Sequence, residues 1–279
     1  MNILARVSLV VVTAVATVAA PATGVAARRV EAKRPQRAPL SADALDKLRE
    51  LLAGSEQETV MTGVKALADS SASNAAVPLV ELLAIGTRPA IAISSIEALR
   101  KLRDPAAIEV LTMYAGNRSP DLRKAAVQAL AVFADARVVP LLVERLGDQA
   151  ADVRAVAAEA LATRNERATA PRLLALFKRN DPGAAAPLGT VAPLSMLPTI
   201  AELQGSVDDS NLATALGELL KRQEMQEPTR LDLVKTLGRI QGAASTTALI
   251  EYIGTLPAND KRKSKAEAQR IVDDRANDR

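Results

Sequence analysis

Between Ser119 and Arg164 one pattern of side chains is written twice, 31 positions apart. Asp121-Leu122-Arg123-Lys124-Ala125-Ala126-Val127-Gln128-Ala129-Leu130 is followed in register by Asp152-Val153-Arg154-Ala155-Val156-Ala157-Ala158-Glu159-Ala160-Leu161. Leu122 falls on Val153, Arg123 on Arg154, Ala129 on Ala160 and Leu130 on Leu161. One period earlier, Ile91, Ala98 and Leu99 occupy three of the same columns. A second set precedes each copy: Val77, Ile108, Val139 and Ala170 share one column, and Pro78, Pro140 and Pro171 the next. A unit of this length cannot bury its apolar face alone, so the pattern predicts units stacked on one another.

Within a unit the spacing is helical. Leu122, Ala126, Ala129, Leu130 and Phe133 stand at i, i+4, i+7, i+8 and i+11, a single apolar stripe, and Val153, Ala157, Ala160 and Leu161 repeat it. Ser41-Ala42-Asp43 supplies a capping start, after which Leu45, Leu48, Leu51 and Leu52 share a face and 56–70 form the partner helix. Helix pairs are then expected at 74–86 with 88–103, 105–116 with 119–134, and 137–147 with 150–163, and a first helix at 167–179. Gly86, Gly116-Asn117, Gly147-Asp148 and Asn180-Asp181 mark turns. Pro105 and Pro120 suit first-turn positions, where a missing N–H costs nothing.

The register fails between Asp181 and Asp209, where Pro182, Pro187, Pro193 and Pro198 accompany Gly183, Gly189 and Gly205. A proline inside a helix costs about 3 kcal/mol, so short or kinked helices are expected there. Leu197-Pro198-Thr199-Ile200-Ala201-Glu202 resembles Val139-Pro140-Leu141-Leu142-Val143-Glu144 and reads as another first helix. Helices are expected again at 211–222, 228–241 and 245–254, with Arg230, Leu233 and Leu237 matching Arg123, Ala126 and Leu130. A polar closing helix near 259–275 serves as a cap.

Composition narrows the chemistry. Apolar residues make up 48% of the chain but aromatic ones only 1%, so Ala, Leu and Val must build the core and no aromatic-lined pocket is expected. With no His and no Cys, imidazole and thiolate zinc sites, Ser-His or Cys-His nucleophile pairs and imidazole acid–base catalysis are excluded. No catalytic residue, cofactor site or metal site is expected. The basic excess lies at the N-terminus, in Arg6, Arg28, Arg29, Lys33, Arg34 and Arg37; from residue 38 onward 30 cationic side chains meet 31 anionic ones. Such neutrality weakens a nucleic-acid reading.

Residues 1–27 read as a secretory signal peptide. Arg6 precedes the apolar run Val7–Ala20, and Pro21 to Ala27 supplies small residues for cleavage. Pro21 and Gly24 favour cleavage over retention as an anchor, leaving no stable membrane span. Residues 28–40 form a basic, Pro/Ala-rich linker. The repeat array is then expected over 41–275, with its irregular segment at 181–209, and a polar tail over 276–279.

The motif of a proline near the first-helix start, an Asn or Asp in the turn, a Leu-Arg or Val-Arg pair five and six residues on and an Ala-Leu end resembles the HEAT-repeat superfamily. It is most like the short bacterial phycobilisome-lyase HEAT-like units. Asn117…Leu122-Arg123…Ala129-Leu130 and Asp148…Val153-Arg154…Ala160-Leu161 carry it in full. The resemblance implies an all-α fold, an α-α superhelix: a right-handed solenoid of antiparallel helix pairs, HEAT/armadillo-like, whose second helices line a concave, protein-binding surface. It also implies that Arg123 and Arg154 form an internal ladder with the turn residues Asn117 and Asp148. Glu97, Gln128 and Glu159 share one column off the apolar stripe and are the candidates for an exposed binding row.

The function expected is an exported, periplasmic or secreted, non-enzymatic scaffold for a protein or peptide partner in the cell envelope. A nucleic-acid-binding solenoid and a lyase-type, chromophore-handling HEAT-repeat protein are the alternatives.

Overall fold

The computed structural model describes residues 37–277. The signal-peptide reading of residues 1–27, and the linker as far as Gln36, lie outside the described residues. Among the described residues the chain forms fifteen α-helices, four single 3-10 turns and one isolated bridge, between Gln204 and Val207.

The helices come in pairs: α1 (Ala42–Leu52) with α2 (Gln57–Ser70), α3 (Ala76–Ile85) with α4 (Pro89–Leu102), α5 (Ile108–Ala115) with α6 (Pro120–Leu130), α7 (Val138–Arg145) with α8 (Ala151–Thr163), and α9 (Ala170–Phe177) with α10 (Ala185–Val191). The short α11 (Leu197–Ala201) precedes α12 (Asp209–Leu220), and α13 (Glu227–Arg239), α14 (Ala243–Gly254) and α15 (Lys263–Asn277) complete the chain. Each second helix packs on the next, α2 on α4, then α6, α8, α10, α12 and α14 in turn. The architecture is an α-α superhelix. Its core is the continuous seam along this row, where Leu99, Leu130 and Leu161 are 0%, 1% and 0% exposed. Burying each contributes about 1.5–3 kcal/mol.

Among the first helices the structure corrects the register. Val77 does not share the environment of Ile108; it is 41% exposed, whereas Ile108 is buried. The column that holds is Leu79, Leu111, Leu142 and Leu173, each 0% exposed. Leu79 precedes Ile91 by twelve positions, where Leu111 precedes Leu122, and Leu142 precedes Val153, by eleven. The turn after α3 has absorbed one extra residue around Gly86, whose φ of 92° is open to glycine at little cost. α3 therefore sits one residue out of step, and Pro78 is buried while Pro140 and Pro171 are exposed.

A second correction concerns the C-terminal third. The match of Arg230, Leu233 and Leu237 to α6 places α13 among the second helices, yet α12 is the helix stacked on α10 and α14. α13 packs instead against α12, α14 and α15. α12 buries residues around most of its circumference, from Asn211 and Leu212 to Leu219 and Leu220. Two glycines permit this approach: a Cβ at Gly189 would meet the Ala215 carbonyl oxygen, and one at Gly217 would stand 2.8 Å from the Ala248 Cβ. The prolines of 181–209 leave single 3-10 turns at Pro182–Ala184 and Leu194–Met196 around the seven-residue α10, and the five-residue α11.

Arginines close the open helix ends. The last carbonyls of a helix lack intrahelical donors and carry partial negative charge. Arg145 donates to the Ala115 carbonyl, Arg164 to those of Ala131 and Phe133, Arg222 to that of Ala192, and Arg275 to those of Leu237, Gly238 and Ile240. Arg230, 5% exposed, donates to Leu220, Arg222 and Met225. These five arginines are thus answered inside the array.

Candidate functional site

The two sets of residues singled out by the repeat lie on the second helices and in the turns before them, and the structure separates them. Arg123, in the first turn of α6, turns towards the helix start. Its Nη1 donates to the carbonyls of Asn117 and Arg118, each at 3.0 Å. Nε and Nη2 grip Asp148 of the next inter-helix turn at 2.8 and 2.7 Å, a parallel two-bond pairing. Arg154 repeats the arrangement one unit on, with its Nη1 on the carbonyls of Asp148 and Gln149 and its Nε 2.5 Å from Asp181. Asn117 meets Arg123 through its backbone carbonyl; its side chain accepts the Ser119 amide at 2.9 Å.

The acids are the more enclosed partners, with side chains 4% exposed for Asp148 and 6% for Asp181. Burial pushes the Asp148 carboxyl up, but the Arg123 hydrogen bonds, the Ala150 amide and the charges of Arg123 and Arg145 together pull it further down. The net is a carboxyl below its ordinary value. Arg123, with most of its donors directed at protein acceptors, is committed to the interior.

Glu97, Gln128 and Glu159 lie exposed on α4, α6 and α8. The column continues to Thr190 of α10, one period after Glu159 and also exposed. Two grooves lie along this face. A groove of about 770 Å³ is lined by Met61, Val64 and Lys65 of α2, Glu97 and Arg100 of α4, and Val132 after α6. A smaller one, of about 270 Å³, takes Glu159 and Thr163 of α8, Pro187 and Thr190 of α10 and Glu218 of α12. Glu97 and Glu159 each line a groove; Gln128 lines neither.

Sequence reasoning missed Lys65, Arg100 and Glu218. Lys65 was within reach, since it precedes Glu97 by 32 positions on the preceding second helix. Glu218 was not: the irregular segment shortens its distance from Thr190 to 28, so the period no longer points to it. Glu218 is bridged to Glu251 of α14 by Lys221, at 2.7 and 2.8 Å.

Among the described residues no cluster of His, Cys, Asp or Glu could hold a metal ion, and no helix is long and apolar enough to cross a membrane.

Residues 45–131 and 114–186 match HEAT repeats, together just over half of the sequence. The chain belongs to the HEAT-repeat family. Solved structures of similar fold include the CpcE–CpcF complex of phycocyanin lyase from Nostoc sp. PCC7120, at 16% identity over 88% of this chain and 98% of that one, with a TM-score of 0.45. A designed armadillo repeat protein is similar at 17% identity over 82% and 98%, with a TM-score of 0.38. Another, solved in complex with a (KR)4 peptide, stands at 15% identity over 82% and 98%, also with a TM-score of 0.38. No curated protein matches the chain.

Proposed function

We propose that this chain is an exported, non-enzymatic scaffold that binds a protein or peptide partner along its second-helix face, the concave side of an array of this kind. One observation carries the reading. The repeat's arginines are absorbed by internal carbonyls and carboxylates, whereas Glu97, Gln128, Glu159 and Thr190 stay exposed in one column beside two grooves. An extended partner crossing successive second helices would meet one such side chain per unit. Export rests on the signal-peptide pattern of residues 1–27. The absence of His and Cys removes the side chains that most often serve covalent and acid–base catalysis.

Photo-crosslinking in the native cell tests the binding face. A crosslinking residue at Gln128 is expected to yield a discrete protein adduct, and one at the exposed Lys178, outside the row, none. Adducts from Lys178 alone, or from neither position, overturn the assignment, as does a chromophore tightly bound to the purified protein. Export is tested by N-terminal sequencing of protein recovered from the envelope fraction. A mature start just after Ala22, Ala26 or Ala27 supports it; an intact Met1 on cytoplasmic protein overturns it.

A further inference from the structure

The groove between α2 and α4 changes character along its length. Its floor is apolar, contributed by Met61, Val64 and Ala68 of α2, Ala98 of α4 and Val132. Its rim changes sign. Glu58 stands in the first turn of α2, and Lys65 follows seven residues later, about 10 Å along the axis. On α4, Glu97 comes midway, while Arg100 and Lys101 occupy the last turn with Arg103 beyond it. Lys101 is paired with Asp69 at 2.7 Å, whose carboxyl the charge of Lys65 also draws down at longer range; Lys65 and Arg100 are both exposed.

More positive charge converges on the same end. Arg37 donates to the Leu102 carbonyl at the close of α4 at 3.4 Å.

The geometry points to an acidic peptide segment as the ligand of this groove: an extended stretch of a partner protein whose aliphatic side chains cover the Met61–Val64–Ala68 floor and whose carboxylates meet Lys65 and Arg100. This assignment rests on the peptide-binding reading above and supplies the partner's chemistry at one end of the array. A nucleic acid fits less well. No aromatic side chain lines the groove to stack on a base, and phosphates leave an apolar floor uncovered. A membrane surface is too flat to enter it.

The test is selection of linear peptides from a random displayed library against the full chain, followed by fluorescence anisotropy with the enriched peptides. Acidic peptides bearing Leu, Ile or Val are expected. The Lys65→Glu, Arg100→Glu double variant should weaken them about tenfold or more, and a Lys178→Glu, Arg179→Glu control of equal charge change by about twofold or less. Both pairs are exposed, so matching thermal melts verify the fold of each variant. Enriched peptides that are basic, or that are weakened equally by both variants, overturn this inference while leaving peptide binding standing. Short duplex DNA binding more tightly than every peptide, and lost in the Lys65, Arg100 variant, overturns it in favour of nucleic acid. Enrichment of no peptide overturns the peptide-binding reading with it.

Discussion

The Arg123 guanidinium and the Asp148 carboxylate meet in two parallel hydrogen bonds of 2.8 and 2.7 Å, tying the first turn of α6 to the turn that opens α8. Asp148 in turn accepts the Ala150 amide and offers its backbone carbonyl to Arg154, which holds Asp181. Three successive inter-helix turns are thereby fastened at one end of the second-helix row, so the exposed column stands on helices of set spacing.

Breaking this link has a large expected effect. Asp148→Ala leaves a largely buried guanidinium without its anion and should cost about 3 kcal/mol of unfolding free energy. Arg123→Lys keeps the charge but loses the planar fork, and should cost about 1–2 kcal/mol. Urea denaturation reads both; a negligible loss from Arg123→Lys would rule out the bidentate geometry as a source of stability.

Acid should loosen the array through the same group. The Asp148 carboxyl is depressed in the folded chain, so the unfolded chain takes up the proton first as pH falls. Its stabilisation is whole above the ordinary carboxylate range, near pH 4–5 and upward, and is lost as pH drops through that range towards the folded value. The Asp135 carboxyl is also pulled down, to about 2, by the Arg137 side chain and amide. Carboxyl NMR titration checks the order: Asp135 should remain ionised where exposed, unpaired acids have already protonated. In Asp148→Asn the loss of stability between pH 5 and about 3 should be shallower than in the parent chain.

The shifted register of α3 separates two neighbouring aliphatic residues. Leu79→Ala should cost about 2–5 kcal/mol, as expected for a fully buried leucine, and Val77→Ala under about 0.5 kcal/mol. Comparable losses at the two positions would restore the register in which Val77 aligns with Ile108.

The glycines of the C-terminal third differ in the same testable manner. Gly189→Ala must push α10 away from the Ala215 carbonyl and should destabilise by about 1–3 kcal/mol. Gly254→Ala, at the end of α14 with open space around its would-be Cβ, should be neutral or stabilising by up to about 1 kcal/mol. Thermal melts of the two variants should therefore move in different directions or by clearly different amounts.

The α6 and α8 units were readable almost residue by residue because both are unbroken copies, and the stripe through Leu130 and Leu161 stayed in the core. Glu97, Gln128 and Glu159 could be placed on an exposed column from spacing alone. Their grooves could not, since a groove belongs to two helices and depends on what stands opposite: Lys65 becomes a site residue only when α2 lies beside α4. The misplacement of α13 has a similar origin. A Pro and an Arg at the right interval identify a helix that starts after a turn, whichever row it joins, and Arg230 does cap the preceding turn as Arg123 does.

By itself the amino-acid sequence determined that this protein is a stack of helix pairs, because a 31-residue period of Ala- and Leu-lined stripes has no other means of burying its apolar faces. Only the tertiary structure decided which helix follows which along the row, where α3 loses a residue of register, and where charge and apolar surface come together as a groove. Those outcomes depend on turn lengths and on how closely two backbones can approach, quantities set between helices rather than along any one of them.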